Sequence, residues 1–253
     1  MKFNMLKISV ILCTIALLFV PGTVRGTTLG TVDIAMTGFY ANDIMDVWAG
    51  GYVQGTTHSG VSMLEKTDGS YEGDLWANGP LGGVCIELYE SPSNDLLTYN
   101  VIMPQDGPVP TGFLGGSMGY TKAKYLQELW GRYYDSSWVG GPYTETKNIY
   151  AAAFSAAVKE IVHEALPGSP FGWDVTIDGT DGDEGFRIEY DYASLANMML
   201  YSLDGTGPKA DLRVFSYDGA QDYIVEVPEP ATIVLLGFGS ALGLLRRKKA
   251  ATK

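Results

Sequence analysis

An apolar run near each end, bordered by positive charge, constrains this chain more than any other feature. Ile8–Val20 is apolar and follows Lys2 and Lys7, and Ala231–Leu245 is apolar and precedes an Arg-Arg-Lys-Lys cluster. Runs of this kind partition into a bilayer, and basic residues beside them stay on the cytoplasmic side. We therefore expect the folded part of the chain to lie between the two runs, outside the cytoplasm.

The first run is typical of an export signal. Its 13 residues suit the apolar region of a signal peptide and are too few for a spanning helix. Pro21-Gly22 interrupts the run, and Val24 and Gly26 place small residues at the −3 and −1 positions. The sequence predicts a signal peptide at residues 1–26, handled by the Sec translocon and signal peptidase. Cys13 leaves with it, so Cys85 is the one cysteine of the mature chain.

The second run predicts a single C-terminal transmembrane segment. A 15-residue helix spans about 22 Å, and flanking basic side chains that reach the interface make up part of the remaining thickness. The prolines of Val227-Pro228-Glu229-Pro230 prevent the helix from extending backwards. The VPEP segment is therefore expected to be extended and accessible at the outer face.

These three parts, in this order, resemble the PEP-CTERM sorting signal. Residues 227–249 supply VPEP, the span 231–245 and a basic tail made of Arg246, Arg247, Lys248 and Lys249. The resemblance implies recognition by an exosortase, a membrane transpeptidase, while the C-terminus is transiently anchored in the inner membrane. It also implies removal of the tail and delivery to the surface or extracellular polysaccharide matrix of a Gram-negative bacterium.

The charge between the two ends excludes nucleic acid as a partner. The whole chain carries a net charge of −12, and the basic residues are concentrated at its ends. Residues 27–227 retain nine basic and 28 acidic residues, a net charge of −19. A surface of that sign repels phosphate backbones and anionic lipids, and it keeps an exported protein soluble.

Residues 27–226 are expected to form one α+β domain, β-rich in its first half, with a helical layer inserted before the last strands. Short runs rich in Val, Ile, Tyr and Met predict strands at 31–37, 47–53, 61–65, 84–89, 97–103, 212–217 and 223–227. A hairpin is predicted from 173–177 and 186–190. Apolar periodicity predicts helices at 120–135, 144–166 and 193–203, the second with Thr144 as N-cap.

Two segments of this domain resemble thioester-domain-like proteins found among PEP-CTERM substrates. Cys85-Ile86-Glu87-Leu88 is similar to their cysteine strand, and Ala151–Val162 is similar to their alanine-rich helix. The segments Tyr125–Tyr134, Leu195–Leu203 and Gln221-Asp222-Tyr223 match three further elements of that family. The resemblance implies the family's fold, in which true members join the cysteine thiol to a glutamine side chain as a thioester.

This sequence departs from the family at the position that matters for that bond. The family's glutamine falls on Ser155 and its tryptophan falls on Lys159. A serine has no acyl carbonyl, so Cys85 and Ser155 cannot form a thioester. Gln127 in the preceding helix is a distant substitute. A buried structural thiol is the alternative interpretation of Cys85.

Other reactive groups give weaker indications. Asp178, Asp181 and Asp183 are a weak calcium candidate, since their spacing does not fit an EF-hand and an acidic hairpin turn explains them better. His58 and His163 are expected to be ordinary surface or boundary residues. No catalytic or nucleotide-binding motif is recognisable, and no cofactor is expected.

The sequence therefore predicts a non-enzymatic surface or matrix protein, structural or adhesive in a biofilm exopolysaccharide. Aromatic side chains provide candidate non-covalent contacts to sugars: Trp130, Tyr133, Tyr134, Trp138 and Tyr143. Two alternatives use Cys85, namely a covalent thioester adhesin and a cysteine-dependent hydrolase. A histidine beside Cys85 in a cleft would favour the hydrolase.

Overall fold

A seven-stranded antiparallel sheet forms the framework of the fold. The computed structural model describes residues 27–49, 53–110, 114, 116–177 and 185–229. The strands are β1 (Gly30–Ala49), β2 (Val53–Tyr71), β3 (Gly79–Cys85), β4 (Leu97–Ile102), β5 (Phe186–Glu189), β6 (Leu212–Tyr217) and β7 (Ala220–Glu226). Their order is β2-β3-β7-β6-β4-β1-β5, and β1 also pairs with β2. Six strands therefore close into a ring, and β5 joins the far end of β1.

The two longest strands differ from the predictions: β1 joins the predicted strand 31–37 to the start of the predicted strand 47–53, and β2 extends the predicted strand 61–65 in both directions. β1 has 20 residues and β2 has 19, and they pair along almost their whole length. The register shifts by one residue at three places, with the extra residue in β2 opposite Asp33 and Ile34 and in β1 at the two later shifts, between Met36 and Gly38 and between Phe39 and Asn42. A bulge accommodates an extra residue and bends a strand without ending it. The polar residues that punctuate the sequence pattern therefore lie within continuous strands.

Three helices cover the sheet: α1 (Gly119–Tyr133), α2 (Glu145–His163) and α3 (Ala193–Tyr201). The expectation of one sheet-rich α+β domain with three helices is confirmed at this level. Thr144 is the N-cap of α2, and its hydroxyl accepts a hydrogen bond from Lys147 N over 3.2 Å. The helix ends at His163 rather than at Leu166. At this end the Lys122 ammonium donates hydrogen bonds to the carbonyl oxygens of Val162 and Glu164.

α2 lies at the centre of the molecule. Every residue from Ala151 to His163 is buried, against β1, β2, β3, α1 and α3. The sequence predicted that one face would be inward, but a helix whose whole circumference is packed against neighbours has no solvent face. The alanines permit this arrangement because their short side chains let several backbones approach.

Two hydrophobic clusters lie on opposite sides of the sheet. The first is built around α2 and includes Phe154, Val158 and Ile161. The second belongs to the ring strands and includes Val32, Ile34 and Tyr223. Residues 32 and 34 share a face because side chains alternate along a strand.

The predicted hairpin of residues 173–177 with 186–190 is wrong. β5 pairs with Asp46–Ala49 of β1, and the segment before it is a turn. The Asp174 carboxylate accepts hydrogen bonds from Thr176 N, from the Thr176 hydroxyl and from the Asn197 amide, which holds that turn closed. One backbone bond remains between the two segments, from Ile188 N to Val175 O over 2.8 Å.

Several predictions lie outside the described residues. These are the signal peptide 1–26, Pro230, the apolar span 231–245, the tail Arg246, Arg247, Lys248 and Lys249, and the calcium candidates Asp178, Asp181 and Asp183. In the described part of the chain, no helix combines the length and apolarity needed to cross a membrane.

Candidate functional site

The fold fixes the chain up to the residue at which the VPEP segment begins. β7 ends at Glu226, whose carbonyl oxygen accepts a hydrogen bond from Trp76 Nε1 over 2.8 Å. The Glu226 carboxylate accepts another from Trp130 Nε1 over 3.0 Å. The next residue, Val227, donates its N–H to Asp211 O over 2.8 Å. No linker of irregular chain therefore separates the packed domain from VPEP.

Beyond Val227 the chain is exposed. Pro228 and Glu229 lie at the surface and form one wall of an open cleft of about 470 Å³. The other walls include Trp76, Tyr134 and Ser136. Pro228 has no backbone N–H to donate, and Pro228 and Glu229 belong to no strand.

Cys85 is the last residue of β3 and is buried, with 7% of its surface exposed. The predicted strand through Tyr89 stops there because the Glu87 carboxylate turns the chain by accepting hydrogen bonds from Tyr89 N and Glu90 N. The Cys85 thiol donates to Glu87 O over 2.6 Å. Burial raises the pKa of this thiol to about 12, so it is un-ionised at neutral pH and is a poor nucleophile.

Ser155 and Lys159 are neighbours on α2, and Lys159 lies near Cys85. Lys159 Nζ donates to Ser155 Oγ over 2.6 Å, and both side chains are almost fully buried. Burial lowers the pKa of Lys159, and Cys85 is the ionisable group that acts on it most. Lys159 and Cys85 line the same small cavity of about 50 Å³, whereas Ser155 does not line it. The lysine therefore lies between the two residues that the thioester comparison brought together.

A carboxamide that the sequence analysis did not consider also lines this cavity. It belongs to Gln221 in β7, whose Nε2 donates over 3.4 Å to Glu87 O, the acceptor that Cys85 also uses. The signal was present in the sequence, because Gln221-Asp222-Tyr223 matched an element of the family. It gained meaning only with the β3–β7 pairing, which sets Cys85 opposite Tyr223. Gln127 does not line the cavity.

The expectation for His163 is wrong. It is fully buried at the end of α2, and its Nδ1 lies 2.9 Å from Lys159 O. Burial lowers its pKa to about 3, so the ring is neutral. Its Nε2 has no hydrogen-bond partner among the residues that the structure describes.

His58 lies in β2 rather than in a loop, and it is exposed as expected. Its ring stacks on Phe39 at 4.1 Å, and its Nδ1 lies 2.9 Å from Asn42 Oδ1. It also lines the cavity that contains Cys85. No hydrogen bond joins these two side chains in the described chain.

Most of the aromatic residues proposed for sugar contacts belong to the core. Trp130 and Trp138 are buried, and the rings of Tyr134 and Phe154 pack against them. Tyr143 is 40% exposed. The largest exposed rings are instead Tyr71, Tyr120 and Phe171, which are 86%, 79% and 72% exposed.

Comparison with known families supports the assignment of the C-terminal segment. Residues 226–249 match the model of the PEP-CTERM protein-sorting motif. No curated protein and no solved structure matches the chain.

The matched segment begins at the last residue of β7, where the two tryptophans hold the chain. This motif implies export, a C-terminus anchored in the membrane before sorting, and an exosortase as the processing partner. By its residues 226–249, the chain carries the PEP-CTERM protein-sorting motif.

Proposed function

We propose that this protein is a non-enzymatic structural or adhesive component of the cell surface or extracellular polysaccharide matrix. The junction at Glu226 and Val227 carries this proposal, because the packed domain leads directly into the sorting motif. Exosortase processing near Pro228 would release the complete domain from its anchor without cutting into the fold. The acidic surface suits a soluble matrix protein in contact with neutral polysaccharide.

The proposed core is a thioester-domain-like module that lacks the thioester to position 155. The family's two motifs meet in space, since Cys85 and Lys159 of α2 line one cavity. Ser155 supplies no acyl group, and the thiol is held un-ionised. Adhesion would then depend on non-covalent contacts.

Replacing Pro228, Glu229 and Pro230 with alanine in the native host tests the sorting part. We expect the variant to stay full length in the membrane fraction, while the wild-type chain is shortened and leaves it. A variant with alanine at Pro208, outside the motif, is the matched control and should be processed normally. Normal processing of the triple variant would contradict the proposal.

Deletion of the coding sequence tests the structural role. We expect the extracellular polysaccharide of the deletion strain to be retained less well on cells, and complementation to restore it. Unchanged retention, with the protein abundant in the wild-type matrix, would refute a structural role.

A cysteine-dependent hydrolase is the second candidate, favoured by one observation. Cys85 and His58 line one cavity, and Asn42 orients the His58 ring. The un-ionised thiol opposes this function. Alkylation of the native chain by iodoacetamide at pH 7 distinguishes the two functions. Rapid modification of Cys85 would support a hydrolase, and protection of Cys85 until denaturation would support the structural role.

A further inference from the structure

Lys159 is a buried amine that has no acidic partner among the described residues. One percent of its surface is exposed, and its ammonium hydrogen-bonds only to the Ser155 hydroxyl among the described residues. Glu128 shows how this fold treats another buried charge. It pairs with Arg132 at 2.7 Å and accepts hydrogen bonds from the backbone of Asp204, Gly205 and Gly207. A buried ion without such partners is strongly destabilising, so Lys159 calls for an explanation.

The residues around Lys159 suggest an explanation for its burial. Lys159 and Gln221 both line the cavity of about 50 Å³. Cys85 of β3 lines the same cavity, and β3 pairs there with β7, the strand of Gln221. An amine and a carboxamide that line one small cavity are the two reactants of an amide exchange, in which the amine displaces the amide nitrogen.

We propose that Lys159 and Gln221 join in an intramolecular isopeptide bond. Lys159 Nζ attacks Cδ of Gln221, the Nζ–Cδ bond forms and the Cδ–Nε2 bond breaks. The departing nitrogen takes one proton from Nζ and leaves as ammonia. No electron acceptor is required, and Cys85 keeps its thiol. The product replaces a buried amine with an amide, which removes the cost of holding a charge in the core.

The bond would link the two elements that matter for a surface-attached protein. β7 leads directly into the sorting motif, so tension on a C-terminal attachment enters the domain through this strand. α2 is the central helix of the fold. A covalent connection between them would prevent β7 from being stripped from the sheet. This inference goes beyond the proposed function and does not depend on it.

Peptide mapping of the full wild-type chain, extracted in detergent and digested after denaturation and alkylation, tests the proposal. We expect one branched peptide that contains Lys159 and Gln221, lighter than its two parts by one ammonia, with Cys85 alkylated. Trypsin should not cleave after Lys159. Two separate, unmodified peptides would overturn the proposal. Loss of ammonia with Cys85 blocked against alkylation would indicate a thioester, and it would equally overturn the proposal.

Two variants test the assignment of the reacting groups. Gln221→Met alters a partly exposed side chain, so the variant should fold, and it should lack the branched peptide. Lys122→Met removes another buried lysine and is the matched control, in which the branched peptide should persist. A branched peptide that survives Gln221→Met would refute the assignment, whichever way the control behaves.

Discussion

Two buried carboxyl groups near Cys85 keep their protons to a higher pH than exposed carboxyl groups do. Burial raises the pKa of Glu87 to about 7, and the Glu90 carboxylate adds to the effect. Burial raises the pKa of Asp222 to about 8, with a smaller contribution from Glu87. Both groups would ionise near pH 4 in an unfolded chain. Between about pH 4 and pH 8, the folded state therefore binds protons that the unfolded state has lost, and stability falls as the pH rises.

Asp222→Asn is expected to flatten that dependence between pH 6.5 and 8. In this window an unfolded Asp222 is ionised and the folded one is mostly protonated. The unfolding free energy of the wild type therefore falls by up to about 1.4 kcal/mol for each unit that the pH rises. The folded His163 is neutral there and an unfolded one is partly protonated near pH 6.5, which gives an opposite slope that is common to both proteins and cancels in the comparison. The asparagine can still accept from Tyr217 N, as Asp222 does over 2.8 Å.

Chemical denaturation of the full chain at several pH values measures this difference. The exposed Asp218→Asn variant, on the neighbouring turn, is the control and should follow the wild type. Parallel curves for the wild type and Asp222→Asn would show that Asp222 is ionised in the folded protein.

At this scale, the sequence could identify Cys85 and Ser155 because a local pattern carries them. It could not identify Gln221 or the burial of His163. Both depend on which elements pack together: Gln221 reaches the cavity through the β3–β7 pairing, and His163 is enclosed because α2 is packed on all sides.

Among the elements, α2 shows how packing limits sequence-based inference. Its existence and its N-cap follow from alanine content and Thr144, which are local properties. Its packing on all sides does not follow from the sequence. Apolar periodicity assumes that one face of a helix is exposed to solvent, and this helix has no such face along 151–163. The ring of six strands was likewise beyond prediction, because pairing between β1 and β4 or β3 and β7 joins distant parts of the chain.

Enlarging a helix residue is expected to be costly in α2. Ala153 is fully buried, so Ala153→Leu forces neighbouring backbone apart and should lower the free energy of unfolding by about 1–3 kcal/mol. Thr146→Leu on the exposed first turn of the same helix is the matched control and should change stability by less than about 0.5 kcal/mol. Denaturant unfolding measures both. Equal stability of the two variants would show that α2 has a free face.

For the whole molecule, the sorting motif was more predictable from the sequence than the fold. Sorting depends on a contiguous order of prolines, apolar residues and basic residues, and residues 226–249 match the motif. The fold depends on contacts between distant segments, for which the sequence offers only local hints. The folded domain and the sorting motif meet at Glu226, where Trp76 and Trp130 donate hydrogen bonds to the end of the last strand.

The intact mass of the protein isolated from its native host, compared with that from a strain without exosortase, tests the central claim most directly. We predict a wild-type chain that begins near residue 27 and ends near Pro228, and an uncut C-terminus held in membranes when the exosortase is absent. A C-terminus that still carries Arg246–Lys249 in both strains would contradict the account.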